Sequence, residues 1–256
     1  MNFHLLKIPE RTTQPRCHGL TMISDKGLSI AETENLLSGA SPFIDVVKLA
    51  FGTAMVTPLL DEKIRLYKSC NIPVYFGGLL LEAFIIRNQL DDYLRMLNKY
   101  EVSFVEVSDG SLNISHQKKC DLIRRFSRMG TVISEIGSKD KDHVHVLPPY
   151  KWIELMEAEL DAGAKYLIAE GKELGNEGLY RNSGEVREGL VQELLTKIPA
   201  EKIIWEAPEK NQQLYFIKLL GCNANLGNII PSEIIPLETM RIGLRGDSFD
   251  FFLNGH

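Results

Sequence analysis

Val102-Ser103-Phe104-Val105-Glu106, Thr131-Val132-Ile133-Ser134-Glu135, Tyr166-Leu167-Ile168-Ala169-Glu170 and Ile203-Ile204-Trp205-Glu206 are four versions of one pattern. Each is a short apolar run that ends on a glutamate. Four further runs surround them. Leu20–Ser24 leads into Asp25-Lys26-Gly27, Phe43–Val47 into Lys48, Ile72–Phe76 into Gly77-Gly78, and Asn223–Leu226 into Gly227-Asn228. Near-continuous apolar runs suit strands buried on both faces. Eight of them, each with a polar group or glycine turn at its C-terminal end, predict an α/β fold, the (β/α)8 or TIM barrel. That fold places the chemistry at the C-terminal rim.

Helical patterns fill the intervals. They cover Ser29–Gly39, Thr57–Ser69 with Pro58 in its first turn, Leu79–Asn98, and Ser115–Met129 capped by Ser115. Further patterns are Tyr150–Ala162 closed by Gly163, Ser183–Lys197 opened at Ser183-Gly184-Glu185, Asn211–Leu220 closed by Gly221, and Ser232–Leu244. Strand and helix alternating eight times favours a parallel barrel. A doubly wound open sheet is the alternative, weakened because no GxGxxG follows the first strand.

The 256 residues match the roughly 250 typical of one barrel, and no Pro/Gly/Ser-rich linker divides them. Residues 1–256 therefore read as one domain, with 1–16 as an N-terminal extension before the first strand. That extension either plugs the N-terminal end of the barrel or packs on another subunit. A net charge of -5 gives no basic footprint for nucleic acid. No run of 18 apolar residues marks a membrane span, and Met1–Thr13 lacks a signal-peptide core. Cys17, Cys70, Cys120 and Cys222 form no CxxC pair, which fits a reduced, cytoplasmic protein. The Asn113-Ile114-Ser115 sequon is then not expected to carry a glycan.

Side chains alternate along a strand. Glu106 shares a face with Phe104, Glu135 with Ile133, Glu170 with Ile168, Glu206 with Ile204, and Lys48 with Val46. All five are expected to point into the barrel mouth. Four carboxylates in one concave site repel each other and need a cation. Lys48, Lys26, Lys139 and Lys172 are the nearby candidates, together with a hard divalent ion; oxygen ligands suit Mg2+ better than zinc. His143 and His145 have strand spacing for a metal but read better as part of a solvated loop. Gly171–Gly178 could form a lid or a phosphate grip. Arg241 and Arg245 lie one turn apart and read as structural partners of Glu238. Tyr93, Trp152 and Tyr215 read as packing aromatics.

Longer motifs then become visible. Val105-Glu106-Val107-Ser108-Asp109-Gly110, Ser134-Glu135-Ile136-Gly137-Ser138-Lys139-Asp140, Glu206-Ala207-Pro208 and Leu237–Arg245 resemble the phosphosulfolactate synthase family. Ile44–Lys48, Phe51-Gly52-Thr53 and Asn225–Ile229 fit the same pattern, so the resemblance runs from about Arg16 to Phe249. It implies a (β/α)8 barrel of the carbon–sulfur lyase class. The implied reaction is Mg2+-dependent addition of sulfite to phosphoenolpyruvate, giving (2R)-phospho-3-sulfolactate for coenzyme M or sulfolactate formation. It also implies Lys139 as the proton donor and Glu106, Glu135 and Glu170 as metal ligands. Glu206 would bind the ion or support a residue that does. Lys26, Lys48, Lys172 and Asn228 would hold the anionic substrate, and the protein would be a homo-oligomer. Several positions depart from the family pattern, and Leu49, Ala50 and Phe51 replace the Phe-Gly-Trp of its Lys-Phe-Gly-Trp-Gly-Thr stretch. Lys172 stands for an arginine, Leu174 for a serine and Leu79 for a threonine. These changes keep two alternatives open, an altered substrate and a non-catalytic, stress-related role.

Overall fold

The computed structural model describes residues 4–137, 147–171 and 174–253. Eight parallel strands run in the order β3-β2-β1-β8-β7-β6-β5-β4. They are β1 (Thr21–Asp25), β2 (Val46–Leu49), β3 (Val74–Phe76), β4 (Phe104–Val107), β5 (Thr131–Ile136), β6 (Tyr166–Ala169), β7 (Ile203–Glu206) and β8 (Leu226–Ile229). Pairing of β1 with β8, with β3 and β4 packed side by side at the two ends of that order, wraps the sheet into a barrel and excludes the open doubly wound alternative. Among the described residues β3 and β4 share no ladder, so the wall has one seam without backbone hydrogen bonds.

Helices α1 (Ile30–Ala40), α2 (Leu60–Ser69), α3 (Gly78–Ile86), α4 (Leu90–Tyr100), α5 (His116–Ser127), α6 (Pro149–Asp161), α7 (Glu188–Leu195), α8 (Lys210–Leu220) and α9 (Ile234–Arg241) cover the outside. Two of the expected helix ends are at Ser115 and Gly221. Ser115 accepts from the Lys118 N–H, and Gly221 ends α8 with φ 84°. Outward strand residues pack on the helices, as where Trp205 stacks on Phe216 at 4.7 Å. Tyr93 and Trp152 are buried in that layer, as expected.

Several boundaries differ from the sequence reading. The expected helix Leu79–Asn98 is two helices. Asn88 takes a left-handed φ of 55°, and the Gln89 N–H bonds back to the Phe84 carbonyl while the Asn88 N–H reaches that of Ile85. Those two bonds end α3 in a Schellman turn, and asparagine tolerates the required backbone at low cost. Pro58 precedes α2 rather than starting it, because Leu59 is left-handed. Ser183-Gly184-Glu185 does not open a helix. It forms a tight turn between the bridged Tyr180 and Val186, with Gly184 at φ 83°, and α7 begins at Glu188. Phe43 sits in a short 3-10 turn, so β2 begins at Val46 and carries Lys48 inside the strand. The eighth strand starts at Leu226, three residues later than its apolar run.

The N-terminal segment lies across the floor of the barrel. Arg11 pairs with Glu238 at 2.9 Å and bonds Asn223 at 2.6 Å, while Arg16 pairs with Asp45 at 3.0 Å. Arg241, fully buried in α9, donates to the carbonyls of Cys222, Ala224 and Leu20. It also faces Glu238 at 4.0 Å, the structural pairing expected of it.

Candidate active site

Register decides which side chains share a level. Ser24, Lys48 and Tyr75 align across β1, β2 and β3. Glu106 is level with Ile133, Glu135 with Ile168, and Glu206 with Gly227. The glutamates therefore climb in a stagger, as barrel shear requires, and meet above the apolar interior. Gly227 must lack a side chain, since a Cβ would lie 2.6 Å from Met22 Cε and 2.8 Å from Ile204 Cγ2.

These residues line a cavity of about 350 Å3 at the C-terminal mouth, with Ser24, Lys48, Gly78, Leu79, Glu82, Glu106, Ser108, Glu135, Glu170, Glu206 and Asn228 in its walls. A larger cavity, about 600 Å3, opens at the opposite end beneath Leu20, Ile44 and Ile204, next to the Arg16–Asp45 pair. The convergent, unequal charges are all at the mouth.

Lys48 is the centre of that arrangement. Its Nζ lies 2.9 Å from Glu106 Oε2, 3.4 Å from Glu135 Oε2 and 3.8 Å from Glu206 Oε1. Burial opposes its charge, but Glu106, Glu135 and Glu206 outweigh burial and hold the ammonium well above the usual lysine range. Two of the acids are also fixed by main chain. Glu106 Oε1 accepts from the Gly78 N–H at 2.7 Å, and Glu206 Oε2 from the Gly171 N–H at 3.0 Å. Glu135 shares Lys48 with them. Burial, followed by repulsion from Glu106, Glu206 and Glu170, raises its carboxyl well above the ordinary range despite Lys48. Glu170 is buried, with Oε2 over Gly137, where a Cβ would sit 1.6 Å away. The Tyr75 phenol, buried beside Glu106, is likewise held protonated and donates to Met22 Sδ.

Asn228 reaches the mouth through a bulge. Thr21 pairs with Leu226, but Ile23 pairs with Ile229, so one extra residue is accommodated between them. Asn228 is left-handed at φ 58° and lines the cavity. Strict alternation would have sent it outward, and a bulge re-aims it. Lys26 is exposed in the turn after β1 and is not among the described cavity-lining residues. Neighbouring Asp25 points outward and forms a buried pair with Lys63 at 2.9 Å and with the Tyr67 hydroxyl. Lys139, Lys172, His143 and His145 lie outside the described residues. Sequence reasoning did not single out Glu82, a buried acid from α3 that lines the mouth. Its signal was the acid four residues after Gly78, one helical turn from the strand end.

The family model for (2R)-phospho-3-sulfolactate synthase matches residues 9–247. The chain belongs to the phosphosulfolactate synthase family. A phosphosulfolactate synthase of Methanothermobacter thermautotrophicus is 37% identical over 97% of this chain and 98% of its own length. That of Bacillus subtilis is 35% identical over 97% and 99%, and that of Methanocaldococcus jannaschii 40% identical over 90% and 94%. The 3-hexulose-6-phosphate synthase of Salmonella typhimurium shares the fold with a TM-score of 0.53 at 12% identity, covering 93% of this chain and 100% of that one. At that identity the likeness speaks for the barrel alone. As a member of this family the chain is an enzyme built on a barrel. Among its described residues no helix is long and apolar enough to cross a membrane.

Proposed function

We propose that this family member adds sulfite to phosphoenolpyruvate and yields (2R)-phospho-3-sulfolactate, with Mg2+ as its cofactor. The observation that carries the reading is the convergence of Lys48 with Glu106, Glu135 and Glu206 at a cavity that Glu170 and Asn228 also line. It occurs in a chain whose relatives are named phosphosulfolactate synthase over nearly full length.

The donor set suits a hard cation. Five carboxylates, those of Glu82, Glu106, Glu135, Glu170 and Glu206, line the mouth, and three of them share the Lys48 ammonium. No three acids among the described residues are grouped as a ready metal cage. Mg2+ does not need one, because it commonly takes one or two carboxylates and fills its remaining positions with water and substrate oxygens. Glu135 and Glu170 would hold it, flanked by Glu106 and Glu206. When bound it would supply positive charge at the substrate carboxylate.

In the proposed addition the sulfur lone pair of sulfite forms a bond to the methylene carbon of phosphoenolpyruvate. The π electrons of the C=C bond move toward the phosphate-bearing carbon and the carboxylate. A proton delivered to that carbon completes the product. The three acids hold the proton on Lys48, which suits electrostatic support rather than proton transfer. Asn228 offers a carboxamide to the phosphate. Lys139 follows β5 in the chain and is the proposed proton donor; Lys172 is a proposed anion ligand. The test is direct incubation of the pure protein with phosphoenolpyruvate, sulfite and Mg2+, with the organic product followed by mass. Formation of phosphosulfolactate is expected, and its absence with any divalent ion defeats the reading.

One observation favours a second reading. Leu79 lines the mouth where the family pattern has threonine, so a hydroxyl is missing from the wall. A changed nucleophile would show as phosphoenolpyruvate binding by calorimetry without turnover of sulfite.

A further inference from the structure

We propose that Glu82 is a positioning residue that closes the seam between β3 and β4 and thereby fixes Glu106 and Lys48; its effect on turnover rests on the synthase reading above. Elsewhere in the barrel, ladder hydrogen bonds hold neighbouring strands. Between β3 and β4 there is none among the described residues, and the cavity sits over this gap.

Two carboxylates bridge it instead. Glu82, only 4% exposed, reaches from α3 across to the β4–α5 connection. Its Oε1 accepts from Ser108 Oγ at 2.5 Å and its Oε2 from the Ser111 N–H at 2.8 Å. Charge-assisted bonds of this length are among the stronger ones, and the one from Ser108 is buried. Glu106 crosses the seam the other way, from β4 to the Gly78 N–H at the start of α3.

The two bridges depend on each other. A Cβ at Gly78 would lie 2.2 Å from Ser108 Oγ and 2.8 Å from Glu106 Oε1, so these atoms crowd the same spot. A serine hydroxyl has one proton to donate. Glu82 takes it, so Glu106 receives its hydrogen bond from the Gly78 N–H and keeps Oε2 turned to Lys48 at 2.9 Å. Without Glu82, the Ser108 proton is released to Glu106, the Ser111 main chain loses its acceptor, and the geometry around Lys48 loosens.

Hydrogen exchange and turnover test this on Glu82→Ala and Glu82→Gln in the full chain, each verified as folded by circular dichroism. Amides in peptides spanning 77–86 and 108–114 are expected to exchange at least tenfold faster in Glu82→Ala, while β6–β8 peptides stay unchanged. With sulfite and phosphoenolpyruvate, kcat should fall at least tenfold and KM for phosphoenolpyruvate move less than threefold. Glu82→Gln, which keeps an acceptor for the Ser111 N–H, should recover part of both effects. Unchanged exchange in the two peptides, or kcat within twofold of wild type in folded Glu82→Ala, overturns the proposal. Absence of turnover in the wild-type chain defeats the synthase reading alone; the exchange measurement needs no substrate and then decides the role of Glu82.

Discussion

The two ends of this barrel treat buried charge in opposite ways. At the floor nearly every charge has its own partners: Arg11 with Glu238, Arg16 with Asp45, and Arg241 with three backbone carbonyls. At the mouth one ammonium serves three carboxylates, and Glu170 and Glu82 add to the negative side. Matched pairs fasten the N-terminal segment and last helix to the strands. An unmatched cluster in a cavity open to solvent carries perturbed ionisation, the usual mark of a reaction site. The floor should therefore govern stability and the mouth activity.

The sharpest way to break that contrast is Lys48→Met. It removes the cation shared by Glu106, Glu135 and Glu206, and turnover should fall about 1000-fold, on the order of 4 kcal/mol in the barrier. A kinetic assay on folded protein checks it; activity within tenfold of wild type would show that the cluster is structural. Arg241→Met probes the other end. Three buried carbonyls lose their donor, while Glu238 keeps Arg11, and stability should drop by about 3 kcal/mol, or roughly 6–12 °C in melting temperature. Calorimetry measures this, and kcat of the folded fraction should stay unchanged. Gly78→Ala follows, with no room for its methyl beside Ser108 and Glu106. Displacing Glu106 should lower kcat about 100-fold at a modest cost in stability.

Glu135→Gln should separate the two functions most clearly. Folding raises this carboxyl above its ordinary value of 4.5. The folded chain thus holds the proton more tightly than the unfolded one, and the resulting penalty is absent below 4.5 and grows as pH rises through the raised folded value. Glutamine has no such penalty. At neutral pH the variant should be more stable than wild type by about 1 kcal/mol while losing turnover. Denaturant titrations at pH 4 and pH 8 test it, and the gain should shrink at pH 4. The smallest effect concerns Asn228. Glycine there keeps the left-handed bulge and removes only the carboxamide, whereas alanine adds about 1 kcal/mol of backbone strain. Unfolding curves should place Asn228→Gly above Asn228→Ala in stability, with both weaker for phosphoenolpyruvate in calorimetric titration.

The barrel was legible in the sequence because eight buried strands must each be an apolar run, and the rim glutamates because they interrupt those runs at the same point. Alternation correctly turned Lys48, Glu106, Glu135 and Glu206 inward. It fails at Asn228, because a bulge adds a residue and nothing local announces that the backbone there will be left-handed. The single long helix expected over Leu79–Asn98 failed for a similar reason. Asn88 ends α3 by backbone conformation, with no glycine or proline to mark it.

By itself, then, the order of residues determined the number of strands, their parallel alternation with helices and the identity of the acids at the rim, since burial acts on each segment through its own pattern. Only the tertiary structure decided that one lysine would hold three of those acids and that β3 and β4 would meet without a ladder. It also decided that Glu82 would reach from a neighbouring helix into the gap. Those features depend on strand stagger and on distances between residues far apart in the chain, which no local pattern encodes.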